Sequence, residues 1–481
     1  MSDDNASDRI VADLRRAAAA SPPGARLPSV RELVTRHRAS ALTVQRALGR
    51  LATEGVLEAR PGSGTFVAAA RQARATVPAA DLSWQAVALG GRGADTTALL
   101  ELLAPPPAHA IALSGGYPAD DLQPLALAGA ALARAARRPG AWRQGPVEGR
   151  AELRAWFAET SGGSLQAHDM LVTPGAQAAL TTAFRALAAP GQPIVVESPT
   201  YPGALAAARA AGLHLVPVPT DDDGMRPDLL DATLRSTGAR LVYTQPLYAN
   251  PTGSVLATGR RDEVLRLLAV HGAFAVEDDW ARELTMDGDP PPALVSGDDG
   301  GHVVHVRSLT KSVSPGLRIA AVGARGAAGA RLRAARVTED LFVSGPLQEA
   351  AVEIVSAPGW RAHLARLRSR LGERRDVLAT SVERHLPELG GVRRPGGGLH
   401  LWVRLPDGID DVTAAAAAAA HGVLVTPGRA LHPAEPPAPY LRVTFAAAPA
   451  DLLDEGVRRL AAALREAFPH TFPEPPAGRR T

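Results

Sequence analysis

The sequence predicts an α/β protein in three parts: a small helical unit closed by a hairpin, a large region with a mainly parallel sheet, and a smaller C-terminal α+β lobe. Three observations carry that prediction. Apolar residues recur at helical spacing in three short segments near the N-terminus, and two extended runs around a Pro-Gly-Ser-Gly turn follow them. From about residue 111 to 343, short apolar runs alternate with helical ones, as strands do when helices cover both faces of their sheet. Beyond a long arginine-rich amphipathic stretch near 359–384, three more strand-like runs, "GLHLWVRLP", "GVLVTPG" and "YLRVTF", form a separate set.

A chain of 481 residues, 46% hydrophobic and 21% charged, can bury a substantial core and is long enough for two or three domains. It has no cysteine, so disulfides and thiolate metal sites are excluded, and no metal site is expected. The charged start "MSDDNASDRI" lacks the apolar run of a signal peptide, and the alanine run at 414–420 is too short to span a bilayer. A cytoplasmic protein with no membrane role is expected.

Residues 1–70 read as one unit. Ile10, Leu14 and Ala17 predict a first helix, ended by "SPPG" at 21–24. Ser29 with Glu32 three residues on is a capping box that opens a second helix. Ser40 caps a third, with Val44, Leu48 and Leu51 as its apolar stripe and Thr43, Arg46 and Arg50 expected on the opposite face. With the hairpin in "VLEARPGSGTFVA", this is the outline of a winged helix-turn-helix. Between Arg26 and Arg60, seven arginines stand against three acids, a cation excess suited to the phosphates of double-stranded DNA. The second helix of such a pair enters the major groove, so Thr43, Gln45 and Arg46 are the expected base-edge or backbone contacts, and Arg31 a backbone contact. Gly62 and Gly64 would let the wing approach the minor groove.

Residues 71–107, with "ATVPAAD", "GGRGAD" and "APPPAHA", read as a linker containing a helix near 94–103. The large domain is expected over 108–343, with strands in "PIVVESPT", "LHLVPVP", "RLVYTQP", "FAVEDDW", "VVHVRSL" and "IAAVGA". The smaller lobe follows over 344–466, and 467–481 is expected to be a disordered tail.

Among the 52 lysine and arginine residues there is a single lysine, Lys311. The bias toward Ala, Gly, Pro and Arg would replace lysine wherever a generic cation is enough. A guanidinium stays protonated, whereas an amine can lose its proton and act as nucleophile or base. Ligands of an open α/β sheet gather beyond the carboxyl ends of its strands. Asn250, Asp278 and Lys311 all fall there. A lysine can form an imine with an aldehyde while an aspartate keeps a pyridine ring protonated, which is the pair that pyridoxal phosphate chemistry requires. Gly175, Ala176 and Gln177, where a strand passes into a helix, can offer backbone N–H groups to a phosphate. Ser308 and Arg318 can add a hydroxyl and a charged fork, and Tyr201 can stack on the ring.

"YANPTG", "VEDDW" and "SLTKSVSPGLR", in this order, resemble the aminotransferase class I/II family of fold type I pyridoxal phosphate proteins. "GARLPSVRELVTRHRASALTVQRALGRLATEGVLEARPGSGTFV" resembles the GntR-type winged helix, and the two joined resemble the MocR subfamily of transcriptional regulators. The resemblance implies that Lys311 makes the internal aldimine with pyridoxal 5'-phosphate, that Asp278 pairs with the pyridine nitrogen and that Asn250 donates to the ring hydroxylate. It implies phosphate contacts from Gly175 to Gln177, Ser308 and Arg318, a ring cover from Tyr201, and a grip on an amino-acid α-carboxylate from Arg442. Four residues depart from it. Trp280 stands where the family commonly has tyrosine, Gln144 where many relatives place a partner-facing tyrosine, and Ala41 with Leu42 where similar winged helices often carry arginine.

The expected function is that of a homodimeric regulator that senses pyridoxal phosphate, or an amine or amino acid, through aldimine chemistry at Lys311. One alternative is a working aminotransferase with a vestigial DNA-binding domain. Another is a regulator that responds to the cofactor alone.

Overall fold

The computed structural model describes residues 3–60, 62–68, 81–90 and 96–473. It divides into two compact units, Met1–Arg92 and Gly93–Thr481.

The first unit comprises α1 (Asp3–Ala19), α2 (Val30–His37), α3 (Ala41–Thr53) and the antiparallel pair β1 (Leu57–Arg60) and β2 (Gly64–Val67), followed by α4 (Trp84–Leu89). Local chemistry sets these boundaries. The Ser29 hydroxyl accepts the Glu32 N–H at 3.3 Å while the Glu32 carboxylate accepts the Ser29 N–H at 2.7 Å, closing the capping box. Arg38, in a left-handed conformation (φ 46°), ends α2, and the Ser40 hydroxyl accepts the Thr43 N–H at 3.1 Å to begin α3. Ile10, Leu14, Leu33, Val44 and Leu51 fill the core between the helices. Two expected faces need correction. Ala18, not Ala17, completes the buried stripe of α1, because Val11 joins Ile10 and Leu14 and turns that stripe by one position. Thr43 is only 5% exposed and its hydroxyl lies 2.7 Å from Ser40 Oγ, so it belongs to the capped, buried side of α3 rather than to the face of Arg46 and Arg50.

The second unit opens with α5 (Thr97–Leu103), the helix expected near 94–103, then β3 (Ile111–Ala112), α6 (Leu125–Ala136) and α7 (Ala151–Ser161). Alternating strands and helices follow: β4 (Met170–Thr173), α8 (Ala176–Leu187), β5 (Pro193–Ser198), α9 (Pro202–Ala210), β6 (His214–Asp221), β7 (Gly224–Met225), α10 (Pro227–Thr237), β8 (Leu241–Thr244), α11 (Thr258–His271), β9 (Phe274–Asp279), β10 (Val303–Ser308) and β11 (Ala320–Gly323). The eight strands lie in the order β4-β11-β10-β9-β8-β5-β6-β7. Strands β10, β9, β8, β5 and β6 are mutually parallel, whereas β11 runs antiparallel to both neighbours and β7 folds back on β6. Apolar residues point to both faces: Val195, Val242 and Ala275 enter one cluster, and Val196, Tyr243 and Val276 the other. This is why these strands read as continuous apolar runs.

The remaining elements are α12 (Gly326–Asp340), α13 (Gly345–Ser356), the long α14 (Gly359–His385), β12 (His400–Arg404), α15 (Asp411–Ala420), β13 (Val423–Leu424), β14 (Thr426–Pro427), β15 (Tyr440–Thr444) and α16 (Ala450–Ala467). Strands β12, β15 and β14 form an antiparallel sheet, and β13 pairs in parallel with β3. Ile111, Leu113 and Leu122 therefore join the core of the smaller lobe, although 108–343 was expected to be the large domain. This segment is bonded into that lobe: the Ile111 N–H donates to Gly422 O, and the N–H of Leu113, just past β3, donates to Leu424 O. The tail expected to be disordered from 467 on is ordered at its start, where Phe472 is fully buried in that same core, and 474–481 lie outside the described residues. No helix among the described residues is long and apolar enough to cross a membrane.

Candidate cofactor site

The parallel strands bring their carboxyl ends to one edge, and a cavity of about 340 Å³ opens there. That is within the roughly 300–1,000 Å³ of small-molecule sites. Asn250, Asp278, Ser308, Lys311, Arg318, Arg442, Tyr201, Ala176 and Gln177 all line it. Gly175 stands beside it as the residue before α8.

Lys311 follows β10 by three residues. Its Nζ donates to Gly116 O at 2.6 Å and lies 3.7 Å from the centre of the Tyr117 ring. Burial, together with the nearby Arg442 guanidinium, pushes its pKa down to about 7, so a large share of the amine is unprotonated near neutrality. Loss of a proton near neutrality is the one property here that an arginine in the same place would lack.

Asp278 lies near the end of β9 and is 3% exposed. Its Oδ2 accepts the Tyr243 hydroxyl at 2.8 Å and Gln245 Nε2 at 2.9 Å, while Oδ1 is buried with no hydrogen-bond partner among the described residues. Burial pushes the carboxyl up to about 6. A buried acceptor without a donor is costly. The protonated ring nitrogen of pyridoxal phosphate is the kind of group that would complete it. Gln245 ties this carboxylate to the next strand end: its Oε1 accepts the Asn250 N–H at 3.0 Å, and its backbone N–H donates to Glu197 at 2.9 Å. Glu197, also bonded by the Thr244 hydroxyl at 2.6 Å, is pushed up to about 7 by burial.

The Asn250 side chain accepts Arg442 Nη1 at 3.1 Å through Oδ1, leaving its NH₂ as the end able to donate to a ring oxygen. Arg442 also donates to Ser114 O at 2.8 Å, yet its Nε is buried without a partner among the described residues. Burial lowers its pKa to about 10, so it remains a cation that an anionic ligand would satisfy.

At the other end, Gly175 (φ +97°) and the first turn of α8 face Arg318. A Cβ at Gly175 would run into the Arg318 guanidinium, so the close approach needs glycine. Arg318 itself holds a left-handed backbone (φ 52°) and donates to Pro174 O at 3.0 Å. Such backbone strain concentrates at functional sites. Ser308 Oγ donates to Thr310 Oγ1 at 2.8 Å. The Gln177 side chain is committed to Gly203 O at 2.7 Å and to the Tyr201 hydroxyl at 3.1 Å, which leaves its backbone N–H for an anion. The Tyr201 ring lies directly on Gly203, where no side chain could fit.

Sequence reasoning missed several lining residues. Tyr117, Gln245, Thr310 and His400 contribute to the cavity, as do Leu99, Leu102 and Leu103 of α5. Gln245 was findable as a polar residue immediately beyond a fully buried strand. The leucines were hidden because their segment reads as linker. His400, on β12, stacks on Trp280 with ring centres 6.2 Å apart. Burial and the Arg442 charge hold its imidazole well below the usual range, and its Nδ1 has no hydrogen-bond partner among the described residues.

In the first unit, Arg31, Gln45 and Arg46 are exposed, and among the described residues Arg31 and Arg46 make no ion pair. Arg50, by contrast, is paired with Asp8 at 2.8 Å and Glu54 at 3.3 Å. Gly62 and Gly64 have φ of +76° and +114°, the left-handed backbone that bends the hairpin.

Comparison with known proteins agrees with both halves. Residues 108–460 match the family model for aminotransferase class I and II, and residues 4–67 that for bacterial regulatory proteins of the gntR family. The chain is 30% identical over 390 residues to aromatic-amino-acid aminotransferase 1 of Thermococcus litoralis, covering 79% of this chain and 93% of that protein. It is 26% identical to the HTH-type transcriptional regulator YdfD of Bacillus subtilis, covering 92% of this chain and 93% of the regulator, so that likeness runs through both units. The α-aminoadipate aminotransferase LysN of Thermus thermophilus, solved with N-(5'-phosphopyridoxyl)-L-leucine, superposes with a TM-score of 0.75 at 30% identity, covering 81% of this chain and 100% of LysN. The fold is thus fold type I, and pyridoxal 5'-phosphate is the cofactor the cavity's residues fit. The chain belongs to the aminotransferase class I and II family and carries a gntR-type DNA-binding domain ahead of it, the architecture of the MocR regulators.

Proposed function

We propose that the chain is a DNA-binding transcription regulator that reads pyridoxal phosphate, or an amine or amino acid brought to it, at Lys311. The observation that carries this reading is that a buried lysine amine, a carboxylate oxygen and an arginine nitrogen, the last two without hydrogen-bond partners among the described residues, belong to three residues lining a single cavity, in a chain that also bears a gntR-type domain. Pyridoxal phosphate, when bound, supplies an aldehyde for amines and a ring that accepts electron density. Lys311 offers the amine, Asp278 Oδ1 accepts a ring N–H, and the Asn250 amide donates to the ring oxygen. Gly175, Ala176, Gln177, Ser308 and Arg318 hold the phosphate, Tyr201 covers the ring, and Arg442 takes an α-carboxylate.

At the other end, Gln45 and Arg46 read the major groove, Arg31 contacts phosphates, and the Gly62–Gly64 turn carries the wing toward the minor groove. Thr43 acts from within as the residue bonded to the α3 cap. A homodimer reading paired half-sites in the cytoplasm fits this arrangement. The effector acts by binding two arrangements of the chain with different affinity. The test is capture of genomic DNA fragments by the full chain with and without pyridoxal phosphate. Sequence-specific capture that changes at least severalfold with cofactor supports the reading, and indifferent, non-specific capture overturns it.

A second reading, a working aminotransferase, draws on the same Lys311, Asp278 and Arg442. Trp280 weighs against it, since an indole cannot become a phenolate. Sustained multiple turnover with an amino acid and a keto acid, without specific DNA binding, would select it. A change in DNA capture on adding cofactor alone would favour a regulator of cofactor supply.

A further inference from the structure

The cavity has two unlike ends. Its floor is polar and holds the three cations among its described lining residues, Lys311, Arg318 and Arg442. Its outer wall comes from α5, whose Leu99, Leu102 and Leu103 fall on one helical face and line the cavity. α5 packs against α9, the helix that begins immediately after Tyr201, and so stands over the same opening. The Tyr117, Tyr201 and Trp280 rings and the His400 imidazole also belong to the lining.

If Arg318 is committed to phosphate and Lys311 to the aldehyde, as proposed above, Arg442 is the cation left for a ligand carboxylate. An amino acid with a second carboxylate would have to press it against leucine side chains, desolvated and without a counter-charge. An apolar side chain meets the opposite circumstance, gaining roughly fourfold in binding for each methylene it buries there. We infer that α5 is a specificity wall, and that the chain's ligand is an α-amino acid with one carboxylate and an apolar side chain. The inference rests on the cofactor reading. It assigns a binding role to a helix that sequence alone treats as linker.

The experiment follows the visible absorbance of the full chain loaded with pyridoxal phosphate during titration with L-leucine, L-phenylalanine or L-glutamate. Leucine and phenylalanine are expected to shift the spectrum at concentrations at least about tenfold below glutamate, in line with discrimination by an apolar pocket. Equal or better binding of glutamate overturns the inference, as does a protein with the cofactor band that answers neither leucine nor phenylalanine. Leu102→Arg, where the cofactor band is retained, is expected to narrow or invert the preference; an unchanged ratio overturns the assignment of α5. Should that variant lose the band, Leu102→Ala replaces it, with leucine binding severalfold weaker, glutamate unaltered, and equal weakening of both counting against the wall. A parent protein that never develops the band on adding cofactor would fail the underlying site reading itself, a result distinct from any change in preference.

Discussion

The N-terminal unit and the strand-end cavity handle charge in opposite ways. In the first, leucine, isoleucine and valine fill the interior, and charged groups stay in water, where Arg15 pairs with Glu54 and Arg60 with Glu58 at 3.0 Å. Surface pairs of this kind stabilise little, with a median of about 0–1 kcal/mol. In the second, a carboxylate, an amine and a guanidinium are withdrawn from solvent, all three displaced in pKa and two left with unpartnered atoms. Folding alone does not call for that arrangement. The contrast teaches how each region is prepared for a ligand: one has arginines unpaired among the described residues and exposed, the other holds buried polar atoms that a bound group would complete.

The largest test of this contrast is Lys311→Arg. The charge survives and the nucleophile does not, so the full chain is expected to lose the cofactor's visible band altogether, along with any attachment that borohydride could fix to the peptide containing residue 311. A variant that still takes up cofactor with the parent spectrum would break the comparison. The same amine sets a pH dependence. Because burial lowers its pKa to about 7, against 10.5 for an ordinary lysine, the unprotonated form predominates above 7 and falls about tenfold per pH unit below it. The rate of band formation should rise with pH, reach half its maximum near 7 and level off above that in stopped-flow mixing. A rate that keeps climbing toward pH 10 would mean that Lys311 is an ordinary exposed lysine.

A smaller effect is expected from Gln245→Leu. Gln245 touches Asp278, the Asn250 backbone and Glu197, so the change strips Asp278 Oδ2 of one of its two donors and frees the Asn250 turn. Leaving buried partners unsatisfied costs about 1–3 kcal/mol. Cofactor affinity, measured by fluorescence titration, should therefore fall roughly ten- to hundredfold. Gln245→Glu, which removes the NH₂ donor and sets a second carboxyl against Asp278, should not rescue it. If Gln245→Leu binds as well as the parent, the Oδ2 side of Asp278 is already adequately held by Tyr243.

How far each region could be read beforehand follows from the same difference. Lys311, Asp278 and Asn250 stood out because a lone amine and polar residues just past apolar strands are chemically conspicuous, and the structure brings all three to one cavity. The helix boundaries at Ser29 and Ser40 were legible because capping acts within three residues. Thr43 misled because spacing on a helix gives only relative faces: the capping contact with Ser40 and the packing of α1 on α3 decided which face went inward. The pairing of β3 with β13 was illegible for another reason, since two residues carry no period and their partners lie near the far end of the same unit. The α5 wall escaped because an apolar helix flanked by Gly- and Pro-rich segments gives no sign of what it covers. In each miss, a contact between distant segments outweighed a local pattern.

The most modest test returns to the open face. Arg46 is exposed, unpaired among the described residues, and on the α3 face that carries Gln45. If it contacts a phosphate, Arg46→Ala should weaken binding to specific and non-specific DNA alike by a few-fold and lower the slope of log affinity against log salt by about one. If it reads a base edge, the loss should reach about 1–3 kcal/mol on the specific site and be small elsewhere. Either outcome should leave the cofactor band intact, since the substitution exposes no core and disturbs no ion pair. Affinity unchanged on every sequence would show that α3 does not enter the groove, and that the unpaired arginines of this unit face another kind of partner.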